Sequence, residues 1–355
     1  MILATGITAI ALAGAVSTSG GIAAQSSSPC VAGGSTGLTA VEVAVSGQTI
    51  TGTINASGCD IGIYVGPGTS NVTMKDVTVT SANDHAILVQ DANNILIENS
   101  TIIGNGVNPE TCPPGAPSKT PCIAENKPIE LVGTTNSTVK DNLVADNRSD
   151  GGIGVADDGK MDPGGLKPGM EAASKNNVIE GNTVVDNLGG CGIVVAAYNA
   201  GAGVSGDRVL ANTIIGNVAG VVVAADSPAT TATDNVVDQN TITGNFLPGV
   251  IVHANTPGDV VMGTVVEYNT LAFNEPDPSA DGGLGPKDAT GIVIAAEPYP
   301  SGFPAGLPDA SITDTVVTRN VIGNEMTPVF TAGATNTTMY KNVIGADTST
   351  PDSVS

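Results

Sequence analysis

The feature that most constrains this chain is a motif that recurs at a nearly fixed interval. Asn182-Thr-Val-Val-Asp-Asn187 is followed by Asn212-Thr-Ile-Ile-Gly-Asn217, Asn240-Thr-Ile-Thr-Gly-Asn245 and Asn269-Thr-Leu-Ala-Phe-Asn274. The first asparagines are spaced by 30, 28 and 29 residues. Weaker copies place Asn99, Asn142, Asn320 and Asn342 at the same point. After each second asparagine comes a glycine and an apolar run, as in Gly192-Ile193-Val194-Val195, Gly220-Val221-Val222-Val223, Gly249-Val250-Ile251-Val252 and Gly291-Ile292-Val293-Ile294. Each period thus holds about three short strands separated by turns. One such unit cannot bury its apolar residues alone, whereas a stack of them can. Equivalent strands then lie parallel at about 4.8 Å, and the repeated asparagine falls in register as an interior amide ladder.

Composition agrees with short strands and tight turns: 46 glycines, no tryptophan and 3% aromatic residues in 355. The 34 acidic residues against 12 basic give a net charge of −22. A surface this acidic repels nucleic acid and anionic membranes.

The repeat resembles that of the right-handed parallel β-helix superfamily, the pectin-lyase-like fold, and within it the NosD-like repeats of secreted actinobacterial proteins. The likeness covers about Gly47 to Val343. It implies an all-β fold, a single-stranded right-handed parallel β-helix (a solenoid) of about ten coils. The expected organisation is a signal peptide over 1–24, a leader and N-terminal cap over 25–46, the β-helix over 47–345 and a disordered tail over 346–355. Removal of the signal leaves no apolar run long enough to span a bilayer, so a secreted or cell-surface protein is expected. The sequence carries no signal of oligomeric state.

Cysteine usage fits an oxidising compartment. Cys112 and Cys122 bracket a Pro-rich loop that a disulfide would close, and Cys30 and Cys59 can staple the N-terminal end. Cys191 is left over and reads as a small core residue rather than a reactive thiol. No CxxC occurs, so no zinc site is indicated.

Alternate residues of a strand face opposite ways. Taking Ile153, Ile193, Val221, Val250 and Ile292 as inward, the outward column is Gly154, Val194, Val222, Ile251 and Val293. The next outward column is Ala156, Ala196, Ala224, His253 and Ala295. That apolar outer face wants a cover, a ligand or a partner. Two positions on, the column turns polar: Asp158, Tyr198, Asp226, Asn255 and Glu297. These candidates define a groove for a polysaccharide. Asp158 and Asp226, two coils apart at about 10 Å, sit near the spacing of the two carboxyls of an inverting glycoside hydrolase. Tyr198 is a proton donor or sugar contact, with His253 and Glu297 further along.

The segment Asp157-Asp158-Gly-Lys-Met-Asp162 gathers Asp157, Asp158 and Asp162 as candidate ligands of Ca2+, without the full EF-hand pattern. The simplest account of the whole column is that Asp and Asn begin turns. Asp157-Asp158 resembles an element of polygalacturonase-type hydrolases, but their Gly-His-Gly and Arg-Ile-Lys elements are absent. A lyase of this fold needs a Lys or Arg base, and Lys127, just before a strand start, is placed to reach the groove or to sit as a solvated turn lysine. His85 beside Asp84 is a further candidate base, although adjacent strand residues point to opposite faces. Two functions are therefore expected to compete: a glycoside hydrolase or lyase-like enzyme, and a non-catalytic surface protein that binds glycan or protein.

Overall fold

The repeat dictates three turns per coil, and three parallel sheets result. The computed structural model describes residues 29–34, 36–106, 126–159, 172–275, 289–296 and 308–345. Among these, the long sheet runs through the apolar strands, including Ile61–Val65, His85–Gln90, Ile129–Val132, Ile153–Ala156, Ile193–Ala197, Val221–Ala225, Val250–Ala254 and Thr290–Ala296. A bent sheet takes two three-residue strands from most coils, such as Val178–Glu180 with Thr183–Val185 and Arg208–Leu210 with Thr213–Ile215. A short sheet is built from strands such as Val204–Ser205, Thr231–Thr233 and Val260–Met262. The strands are parallel from coil to coil, apart from Val31–Ala32, which pairs antiparallel with Thr39–Val43. Beside that exception, Cys30 and Cys59 form the expected disulfide. The Cys112–Cys122 loop, the 1–24 segment and the 346–355 tail lie outside the described residues.

The corners explain the asparagines. In one coil Asn176, Gly181 and Asp186 adopt φ of 57°, 65° and 54°; in a later one Asp234, Gln239 and Gly244 adopt 56°, 59° and 65°. These left-handed residues recur five apart, and each turns the chain. The residue after each points inward and is buried: Asn177, Asn182 and Asn187 in the first coil, Asn235, Asn240 and Asn245 in the later one. The inward amides of the middle column are used on both their oxygen and their nitrogen. Asn182 donates its backbone N–H and its Nδ2 to Asn212 Oδ1, both at 2.9 Å. Asn212 Nδ2 in turn donates to Ile179 O at 2.9 Å and to Asn240 Oδ1 at 3.0 Å. The ladder therefore satisfies the backbone that each turn takes out of sheet pairing.

One register differs from the expectation. Ser100, not Asn99, occupies the ladder, since Ser100 N donates to Asn142 Oδ1 at 2.9 Å. Asn99 is instead the left-handed corner residue before it, at φ 49°. Asparagine suits both positions for different reasons, and that makes them easy to exchange in a sequence.

The glycine before each long-sheet strand is required by close approach. A Cβ on Gly192 would lie 2.5 Å from Ile214 Cγ2 and 2.9 Å from Gly220 O, and one on Gly220 would lie 2.2 Å from Gly249 O. Beyond that point Ile193, Val195 and Ala197 enter an interior shared with Ile179, Val184 and Ile214.

Candidate functional site

The strand register expected from the sequence holds. Ile153 pairs with Ile193, Ile193 with Val221, Val221 with Val250 and Val250 with Ile292. Ala196, Ala224, His253 and Ala295 follow in one row on the outer face. Asp158, Tyr198, Asp226 and Asn255 therefore begin successive strand ends, while Glu297 and Asp162 lie outside the described residues. The outer apolar row is not open: Val194 and Val222 are 6% exposed and Ile251 2%.

The column does not act as one set, because its members turn to different partners. Asp157 points between coils, where its carboxylate accepts the backbone N–H groups of Tyr198 (2.8 Å), Asn199 (3.1 Å) and Gly203 (2.8 Å). Burial raises its pKa, and those donors oppose the rise. Asp158 turns toward earlier coils and accepts Gln90 Nε2 at 2.9 Å, while Tyr64 donates to Gln90 Oε1 at 3.0 Å. Against Asp158 lies Asp91, whose pKa is pushed up to about 7 by burial and by the neighbouring carboxylate. Asp226 turns the other way. Asn255 Nδ2 donates to Asp226 Oδ1, and Asn255 Oδ1 meets His253 Nδ1 at 2.6 Å. The structure thus brings Asp226, Asn255 and His253 together, and it sets Asp158 apart from them.

A second group forms across the strands rather than along their ends. Lys127 is buried, not solvated, and its stem crosses the outer face over Gly154, where a Cβ would come 2.5 Å from Lys127 Cδ. Its ammonium meets Asp150 Oδ2 at 2.9 Å. Burial alone would lower the Lys127 pKa, but the charges of Asp150 and Glu130 outweigh it and hold the amine protonated. Tyr198 starts from the far end of its strand and packs against the outer apolar cluster that includes Val194 and Val222. Its phenol pKa is raised, chiefly by burial, with Asp226, Asp150 and Glu130 adding to it, so the hydroxyl stays a neutral donor. His85 Nδ1 lies 3.0 Å from Lys127 O and 3.3 Å from Glu130 Oε2, so its carboxylate neighbour is Glu130. Cys191 belongs to this outer cluster, half-buried, and burial raises its thiol to about 11, which keeps it unreactive.

Sequence reasoning missed Asp91 and Glu130. Strand register pairs Gln90 with Val132 and Val132 with Ala156, so Asp91 follows the same row that leads to Asp157. Glu130 pairs with Gly154, one strand from Val194. Both were within reach of the column alignment, had it been extended to the earlier coils. Among the described residues no group of three or more His, Cys, Asp or Glu is arranged to hold a metal ion. No helix among them is long and apolar enough to cross a membrane.

A family described as right handed beta helix region matches residues 30–258. No curated protein matches the chain. Solved structures that resemble it include a hyperthermoactive exopolygalacturonase from Thermotoga maritima, at 13% identity and TM-score 0.47, over 78% of this chain and 53% of that one. This chain therefore spans about half the length of that protein. PfbA, a surface adhesin of Streptococcus pneumoniae, is 12% identical with TM-score 0.49 over 86% and 82% of the two chains. The A-module of the mannuronan C-5 epimerase AlgE4 of Azotobacter vinelandii is 13% identical with TM-score 0.45 over 85% and 80%. Likeness at this level assigns no activity.

Proposed function

Because this chain belongs to the right-handed beta helix family, in which function resides in side chains grafted on the coils, we propose that it acts on extracellular polysaccharide at the outer face of the long sheet. The observation that carries this reading is the Lys127–Asp150 pair set on the outer face of the long sheet, with Tyr198 packed on the outer apolar cluster of the same sheet and Asp226 held at a strand end beside Asn255. Carboxylates, a phenol and an ammonium set on one sheet from separate coils are what sugar hydroxyls require, and no interior packing calls for them. The Cys30–Cys59 disulfide supports a secreted location.

Hydrolysis is favoured over a lyase reaction. A lyase base must be free to take a proton, and Lys127 is held protonated beside Asp150. In the proposed hydrolase Tyr198 donates to or orients the sugar and Asp226 supplies a carboxylate. A second reading, binding without catalysis, is favoured by one observation: Asp158 turns to Gln90 and Asp91, so it does not face Asp226 across a groove.

A panel of polysaccharides, each read for binding, for new reducing ends and for unsaturated product, separates the readings. Reducing ends that disappear in Asp226→Asn and Tyr198→Phe, with melting unchanged, support hydrolysis. Binding with no product favours the second reading, and unsaturated product overturns the argument from Lys127.

A further inference from the structure

The two ends of the stack are finished differently. At the first coil Val31–Ala32 pairs antiparallel along the edge of Thr39–Val43, and Cys30–Cys59 pins it there. Glu42 stands in the inward column of Ile63 and Ile87, and Gln48 Nε2 donates to its carboxylate at 2.8 Å. A strand and a polar pair thus close that end, as a terminal repeat requires. The last described coil is complete, with Thr327–Ala332, Ala334–Thr335, Thr338–Tyr340 and Val343–Ile344 each paired to the coil beneath. Its inward columns stay apolar. Val329 follows Ile292, Ala334 follows Ile312, Met339 follows Val317 and Ile344 follows Ile322. The four residues beneath are buried, yet Met339 is 44% exposed and Ile344 59%.

Charge selects what can cover that end. The chain carries 34 acidic residues and a net charge of −22, so two copies repel over most of their surface. Residues 326–345 are the exception: they hold no acid and one cation, Lys341. Residues 346–355 read Ala-Asp-Thr-Ser-Thr-Pro-Asp-Ser-Val-Ser, too polar a segment to cover four apolar columns. We propose that the last coil is a self-association surface, on which a second copy of the chain sits C-terminal end to C-terminal end. The closed first coil offers no matching face for head-to-tail stacking, so the pair is two-fold and finite. The apolar ends of the two interiors bury one another, and the edge strands, antiparallel across the two-fold, supply each other's open backbone groups.

Sedimentation equilibrium of the full chain over a range of protein concentrations tests this. A concentration-dependent rise from one copy to two is expected, stronger at about 0.15 M salt than at about 0.01 M, because salt screens the acids that repel. Ile344→Lys and Met339→Lys each place a charge in the joint. Each should raise the dissociation constant by about tenfold or more, while circular dichroism stays that of the folded chain. Leu188→Lys alters an apolar residue of another coil that is 61% exposed, and it should leave the dimer unchanged. A chain that stays monomeric at every concentration overturns the proposal; if removal of residues 346–355 then releases dimers, that segment is the cover instead. A dimer that survives both lysine substitutions at the joint, weakens equally in Leu188→Lys or loosens as salt rises overturns it as well. Growth beyond two copies would mean head-to-tail stacking and overturns the two-fold arrangement.

Discussion

The inward amide ladder and the outward polar strip are made of similar residues under opposite rules. In the middle column of the ladder successive coils repeat the same contact, Asn182 to Asn212, Asn212 to Asn240, Asn240 to Asn269 and Asn269 to Asn320, with donor and acceptor matched each time. On the outer strip no two coils repeat. Lys127 finds Asp150, Asp158 finds Gln90, Asp226 finds Asn255, and each pair is different. A stack needs a repeating contact because each coil is held only by its neighbours. A site needs the repeat to fail, because a ligand must meet groups that appear once.

The sharpest way to break this contrast is at the ladder. Asn212→Leu keeps the branched shape but takes the acceptor from the buried backbone N–H of Asn182 and from one of its two Nδ2 hydrogens, and the side-chain donor from Ile179 O, while Asn240 Oδ1 keeps only the backbone N–H of residue 212. The expected cost is about 4 kcal/mol, read by denaturant unfolding, with both neighbouring coils loosened in hydrogen exchange. A cost near zero would mean the ladder is ornament on a fold held by its apolar interior alone.

A second prediction concerns an acid inside the ladder. Asp207 takes an asparagine's place, and its Oδ1 accepts the backbone N–H and Nδ2 of Asn177 at 2.8 and 3.0 Å. Its other oxygen is buried with no donor, at the atom where an asparagine carries its NH2. Burial pushes its pKa up to about 7. A carboxyl whose folded pKa lies above its unfolded value binds more protons folded than unfolded, so its contribution to stability is fully kept below about pH 4 and lost as pH rises toward 7. Asp207→Asn removes that loss. The variant should match the parent in acid and exceed it above pH 7 by a few kcal/mol, with about 4 kcal/mol as the upper limit. Glu325, raised to about 7 by burial while accepting from Asn274, should behave alike. A gain that is equal at pH 4 and pH 8 would show that Asp207 is ionised throughout.

The repeat was legible in the sequence because it is local and periodic, and so were the inward and outward columns of the long sheet. What a periodic reading confuses is two neighbouring positions that favour one residue, as at Asn99 and Ser100. The strip was legible only in part. Asp226, His253 and Tyr198 could be placed by register, since backbone pairing fixes where a strand residue starts. Where a long side chain ends is fixed by what lies in its path. Lys127 reaches the outer face because the residue beneath it is Gly154, and Tyr198 packs on the outer cluster because Val194 and Val222 offer it a floor. Neither fact belongs to a motif. The direction of Asp158 was hidden for a related reason: its partners Gln90 and Asp91 come from a coil whose copy of the asparagine pair is imperfect, with Ser100 at the first ladder position.

The same substitution on the two faces gives the smallest and most specific test of the contrast. Gly192→Ala faces inward, and its new methyl meets Ile214 and the carbonyl of Gly220, neither of which can move without shifting a strand. It should cost about 1–3 kcal/mol of stability, the usual effect of overpacking, and leave the outer face alone until the protein unfolds. Gly154→Ala faces outward, and its methyl meets only the middle of the flexible Lys127 stem. Its stability cost should stay under about 1 kcal/mol, because a lysine stem can lift where a backbone carbonyl cannot. The lift would draw the ammonium away from Asp150, so glycan binding should fall although melting hardly changes. The opposite pattern, a large loss of stability at Gly154 with binding intact, would make Lys127 a packing residue and remove it from the site.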